Sequence, residues 1–196
     1  MRRATGLGVL LLALAGLAGC ATREKTVKPS GEITAEQRQK ILHRKVASLL
    51  EKKSYRRAIE LMCGENQPGY PVAGLGREYV TAVNGLIATG EESLSRGECG
   101  AAGLSFRWAL DAYPAEPSLR EKVVRDPKQV RGMMDGCSNS LMEQGLLEYR
   151  RGNLESAIRK WKEIVAFDPG NKEAKKSIET ATAQLRTLQN MEKSRQ

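Results

Sequence analysis

Apolar positions recur at helical spacing along most of the chain. Between residues 171 and 190, Ala174, Ile178, Ala181, Leu185 and Leu188 step by 4, 3, 4 and 3, with Lys, Glu, Thr and Gln between them. That rhythm puts one apolar stripe on one helix face. Ile41, Leu42, Val46, Leu49 and Leu50 share a face in the same way, in a helix predicted to open on a Thr34–Gln37 capping box and run to about Lys53. Ser54 is placed to cap a short helix ending near Cys63, and residues 64–76 (GENQPGYPVAGLG) read as a loop. Helices are predicted over residues 77–96 and 98–113. Ser118 with Glu121 then opens a small extra helix that Asp126-Pro127 ends, and Pro127 suits the first turn of a long helix reaching Arg151. Residues 154–167 complete the set.

Two of these segments repeat each other. Gly90, Gly97, Ala102, Phe106, Ala109 and Pro114 each lie 55 residues before Gly145, Gly152, Ala157, Trp161, Ile164 and Pro169. A weaker, earlier copy sets Tyr55, Ala58 and Ile59 against Leu154, Ala157 and Ile158, with 44 residues from Ala58 to Ala102. The residue types have packing reasons. Gly90 and Gly145 leave room for a second helix to lie against the first. Gly97 and Gly152 can take positive φ and end the first helix. Ala102 and Ala157 let the helices approach, and Phe106 and Trp161, one turn on, fill the space beside them. In the first copy Val46 stands at the small-residue position.

This pattern resembles the tetratricopeptide repeat, a helix–turn–helix unit of 34 residues. The resemblance implies an all-α fold: a right-handed helical repeat of about three helix pairs plus a C-terminal capping helix, over residues 34–190. Residues 191–196 are expected as a disordered tail. Repeat spacings of 44 and 55 exceed 34, and the excess falls in two inserts between pairs, where specialised function is expected. The terminal helix is expected to cover the last core face. A coiled-coil contact with a partner is the alternative for its stripe.

The N-terminus changes the picture most. MRRATGLGVLLLALAGLAGC carries Arg2 and Arg3 ahead of an apolar stretch from Leu7 to Ala18, short for a membrane span and built like a secretory signal. Leu17, Ala18, Gly19 and Cys20 resemble the lipobox of bacterial lipoproteins. That resemblance implies removal of residues 1–19 by a signal peptidase that recognises Leu17–Gly19, with lipidation of the Cys20 thiol. Two or three acyl chains anchor a protein stably. Ala21, in place of an Asp, implies sorting to the outer membrane, facing the periplasm. Residues 20–33, polar and without apolar periodicity, then form a tether; its first eleven residues after Cys20 reach roughly 35 Å when extended.

Composition and charge follow from this. Hydrophobic types make up 40% and aromatics 5% of 196 residues, which favours one helical domain. A net charge of +9 on its own suggests nucleic acid, but an exported chain does not meet it. Acidic proteins or anionic lipid headgroups suit the basic surface instead, and the cations between Arg120 and Arg131 are the best candidates for such a contact.

Candidate chemistry is sparse. His43 is the single histidine, so no multi-histidine metal site and at most one triad base are available; it reads as a surface or groove residue. There is no P-loop, Cys-x-x-Cys or His-Glu-x-x-His. No catalytic residue, metal or cofactor is expected. Cys63, Cys99 and Cys137 remain beyond Cys20; two of them can pair in an oxidising compartment, or all three can be buried thiols, and three pairings are open. The expected function is a membrane-anchored scaffold or assembly factor for a cell-envelope complex (secretin or pilus, outer-membrane protein assembly, or peptidoglycan machinery), bound to protein partners. The alternative is a carrier or sensor of a small lipid or cell-wall ligand in the helical groove.

Overall fold

A computed structural model describes residues 34–195. The expected signal peptide, Cys20 and the tether lie outside the described residues. Among those described there are eight helices and no strand: α1 Ala35–Glu51, α2 Tyr55–Cys63, α3 Gly76–Ser95, α4 Cys99–Asp111, α5 Pro117–Arg120, α6 Pro127–Arg150, α7 Leu154–Phe167 and α8 Lys172–Lys193. The fold is all-α.

Three helical hairpins, α1–α2, α3–α4 and α6–α7, share one turn. Lys53, Gly97 and Gly152 take positive φ of 53°, 74° and 82°. The next residues, Ser54, Glu98 and Asn153, donate from their amides to the Leu49, Ser93 and Glu148 carbonyls at 2.8, 2.9 and 3.0 Å. Amides of Lys53, Gly97 and Gly152 close the inner ring onto Leu50, Leu94 and Tyr149. This is a Schellman ending, which satisfies carbonyls the finishing helix leaves free. Backbone angles of Ser54 (−84°, 54°), Glu98 (−83°, 63°) and Asn153 (−80°, 62°) coincide. Each then accepts the first bond of the following helix, from Ala58, Ala102 and Ala157. None uses its side chain as a cap, so Ser54 acts through its backbone, not through the hydroxyl expected of it.

The packing inside the hairpins repeats as well. A Cβ at Gly90 would collide with the Phe106 ring, and one at Gly145 with the Trp161 indole. Ala102, Phe106 and Ala157 are fully buried and Trp161 nearly so. In the first hairpin the corresponding positions hold Val46 and Met62, both fully buried. Successive hairpins pack in order: α2 on α3, α4 on α6 and α7, and α7 on α8. Gly103 on α4 leaves the space that Phe167 of α7 fills, and Gly85 on α3 lies under the Tyr55 ring of α2.

Both inserts are anchored. The loop over residues 64–75 is pinned by Tyr79, whose buried Oη accepts from the Gly69 amide at 2.8 Å and donates to the Ala112 carbonyl at 2.9 Å. Burial pushes this phenol up from its ordinary pKa, so it stays a neutral donor. The second insert holds α5, with Glu116 at its N-cap and Pro117 at its first position. Ser118 therefore sits inside α5, contrary to the capping role expected of it, because Pro117 suits the first helical position. α5 ends at Arg120, ahead of Asp126. Asp126 instead caps α6 in a reciprocal capping box with Gln129. Asn84 of α3 holds the rest of the insert, donating to the Lys122 carbonyl at 3.2 Å and accepting from the Val124 amide at 3.0 Å.

α8 starts at its N-cap Asn171, whose side chain accepts from the Ala174 amide. Its helix continues to Lys193, into the stretch expected as a tail. Ala174 and Ala181 are buried and Ile178 and Leu185 pack on the core, while Leu188 and Met191 are half exposed. The stripe is covered for its first three turns only.

Candidate interaction clefts

Open clefts lie between the stacked helices. The most varied chemistry lies between α2, α3 and α4. Ile59, Leu86 and Ala112 form its buried floor, half-buried Trp108 forms a wall, and Pro68, Glu60 and Asp111 rim about 190 Å³ of space. It adjoins a second recess of about 270 Å³ bordered by Lys53, Arg56, Arg57 and Ser105. The Arg56 guanidinium lies 4.7 Å above the Trp108 ring centre, and its Nε donates to Glu60 Oε1 at 2.9 Å. A cation on an aromatic face is attracted by the ring quadrupole. Arg56 thus carries a fixed geometry across the cleft although it is more than half exposed.

A second cleft, of about 370 Å³, separates α6 from α8. Leu146 and Tyr149 of α6 face Glu173, Lys176, Ser177 and Thr180 of α8 across it, with the Trp161 edge at its base. Tyr149 and Trp161 pack as a tilted pair, 6.0 Å between ring centres. Leu146 is 42% exposed, so this cleft offers apolar surface beside an acid and a base. The third, of about 400 Å³, runs along α1 and is bordered by Arg38, Gln39, Leu42, His43, Val72, Ala73 and Leu75. His43 is half-buried there, a groove residue as its sequence context suggests.

The structure brings together Gly90 with Phe106 and Gly145 with Trp161, and places Gly97, Gly152, Ala102 and Ala157 at equivalent points of their hairpins. Leu17, Ala18, Gly19 and Cys20 lie outside the described residues. Cations of the second insert, expected to meet an acidic partner, are partly committed within the chain. Arg120 Nε donates to the Pro114 carbonyl at 2.7 Å, and Arg125 pairs with Glu91 at 2.9 Å. Lys122, Lys128 and Arg131 remain on the surface. Sequence reasoning missed Tyr79, Asn84 and the Arg56–Trp108 pair. No periodic signal marks them, since each acts through a partner more than twenty residues away or on another helix.

Among the described residues no group of three or more His, Cys, Asp or Glu side chains is placed to hold a metal ion, and no helix is long and apolar enough to cross a membrane. Comparison of the chain with protein-family models, with curated proteins and with solved structures found no match.

Proposed function

We propose that this protein is a lipid-anchored, tetratricopeptide-like repeat scaffold of the bacterial cell envelope, which grips a segment of a partner protein in its interhelical clefts. The observation that carries the reading is the three-fold recurrence of one hairpin turn at Lys53, Gly97 and Gly152, followed each time by a buried alanine five residues on. Stacked hairpins of this kind present extended surfaces suited to peptide contact. Leu17 to Cys20 supply the anchor on this reading, with the body on the periplasmic side of the outer membrane and residues 20–33 as tether. The clefts are open-sided and mix apolar walls with charge, which supports contact with a polypeptide over retention of a lipid chain.

In-cell crosslinking of a C-terminally tagged copy, followed by purification from membranes and mass spectrometry, tests the scaffold. Recovery of one or two envelope proteins in near-stoichiometric amount is the expected result; recovery of the protein alone counts against it. Cys20→Ala tests the anchor separately. It should accumulate as an unprocessed precursor, and normal maturation would overturn lipidation.

A further inference from the structure

One face of α3 is covered by the protein's own second insert. Gly76, Asn84 and Glu91, at steps of 8 and 7 residues, share that face. Leu119 packs on Gly76, Asn84 bonds the Lys122 carbonyl and the Val124 amide, and Glu91 pairs with Arg125. Leu86 lies roughly 200° round the helix from Asn84. It is the floor common to the two recesses of about 190 and 270 Å³ between α2 and α4, and Arg56 and Trp108 border both. The two recesses are therefore one groove crossed by the Arg56–Trp108 stack, on the side of α3 that the insert leaves open.

Charge around this groove does not balance. The carboxylates at one end, Glu60 and Asp111, are each answered by an arginine, Arg56 and Arg107, at 2.9 Å. At the other end Lys53 and Arg57 are exposed and, among the described residues, make no ion pair. The Ser54 and Tyr55 hydroxyls and the Trp108 indole N–H likewise have no hydrogen-bond partner among the described residues. What remains over is two cations and three O–H or N–H donors beside the buried, apolar Ile59 and Leu86. Carboxylates flanking an apolar side chain complete such a set, because charge-assisted hydrogen bonds need acceptors of opposite charge.

We propose that the groove between α2 and α4 is where the scaffold holds its partner, and that the bound segment is acidic with one apolar anchor residue. The anchor lies on Leu86 and Ile59 beside Trp108, and its neighbouring carboxylates meet Lys53 and Arg57. From Lys53 to Glu60 the groove runs about 10 Å along α2, the reach of about three extended residues. That the occupant is a polypeptide rests on the scaffold reading. A net charge of +9 disfavours a second copy of this chain as the acidic partner. Lys128 and Arg131 of α6, also exposed, border none of the clefts described above.

Fluorescence anisotropy on the purified full-length chain tests the groove, with a labelled Asp-Glu-Phe-Glu-Asp peptide as probe. Binding is expected that weakens with added salt and falls roughly tenfold when glycine replaces the phenylalanine of the peptide. Lys53→Gly combined with Arg57→Gln should weaken it by roughly tenfold as well. Glycine accepts the positive φ of residue 53, so that loss does not come from misfolding. Lys128→Gln with Arg131→Gln removes the same charge elsewhere and should leave binding unchanged. Absence of binding, equal affinity for the glycine peptide, equal affinity in the Lys53/Arg57 variant, or loss in the Lys128/Arg131 variant each overturns the assignment. In-cell crosslinking then separates this site from the scaffold itself. An envelope partner recovered with the wild type and lost with the Lys53/Arg57 variant is expected; a partner kept by that variant overturns the groove while the scaffold stands. Should the wild type recover no partner, the scaffold reading falls and the peptide result decides the groove.

Discussion

The α1–α2 and α6–α7 hairpins trace one turn with different side chains. Lys53 holds φ 53° where Gly152 holds 82°, and the buried pair is Val46 with Met62 where the third hairpin has Gly145 with Trp161. The second hairpin sides with the third, through Gly97, Gly90 and Phe106. Volume is thus divided differently along the chain: a medium residue on each helix at one end, nothing opposite an aromatic ring at the other. The comparison teaches that the backbone fixes the sum of the two side chains and leaves their division free.

Exchanging the two solutions should produce the largest effects. Gly145→Val puts a branched side chain into the place of the indole and should cost about 3 kcal/mol; Trp161→Met, which leaves a void, should cost about 2–4 kcal/mol. Combined, they recreate the first hairpin's division, and urea unfolding should show at least about 1 kcal/mol recovered relative to the sum of the single losses. Strict additivity would show that the two divisions are not equivalent.

Connections between hairpins differ too. The first insert is held by a buried phenol together with the backbone bonds Val72–Met62 and Ala115–Gly69, the second by Leu119 against Gly76 and by surface contacts from Asn84, Glu91 and Tyr113. Tyr79→Phe removes an acceptor and a donor from buried backbone groups and should cost about 1–3 kcal/mol, with faster amide exchange at Gly69. A loss confined to the surface range of about 0.5 kcal/mol would mean that water replaces the hydroxyl.

Smaller still is the turn itself. Lys53→Gly relieves a left-handed conformation and should stabilise the protein by about 1 kcal/mol, while Gly152→Lys should destabilise it by a similar amount. Thermal melts of the two variants moving in the same direction would break the equivalence of the turns.

The smallest contrast is electrostatic. Turns two and three carry clusters of Arg96 with Glu92 and Glu98, and of Arg151 and Asn153 with Glu148; Ser54 stands where Glu98 does. The Arg96 guanidinium beside Glu98 lowers its pKa, and hydrogen bonds from Asn153 and then Arg151 lower that of Glu148. A carboxyl depressed in the folded state stabilises above its unfolded pKa, about 4.3, and loses that contribution as pH falls through the folded value. Glu98→Gln with Glu148→Gln should therefore flatten the fall of Tm below about pH 4.3 and change little at pH 7. An unchanged acid limb would assign the loss to other carboxylates.

Helix positions were legible because each is a local pattern. Residues 154–167 were read to the residue, and Gly97 and Gly152 were read as able to take positive φ because glycine has no Cβ to oppose it. Ser54 was placed rightly at its N-cap but without its hydroxyl bonding there, and Ser118 was misread, for one reason: a hydroxyl before a helix is a common cap, but here the preceding Schellman turn and Pro117 had already set the backbone. Asp126 and Gln129, which cap α6 reciprocally, were passed over for a stop signal, since Asp-Pro serves both purposes.

From its sequence alone the chain is bound to be helical, with a glycine opposite an aromatic ring twice over at a fixed offset, because those demands lie within single hairpins of 36 and 41 residues. Tertiary structure alone decided that Tyr79 ties two distant connections and that Arg56 lies over Trp108 beside an open cleft. Each of these joins groups from different hairpins, or from a hairpin and an insert. Helical periodicity reports which face a residue occupies, but not which residue of another helix stands across from it.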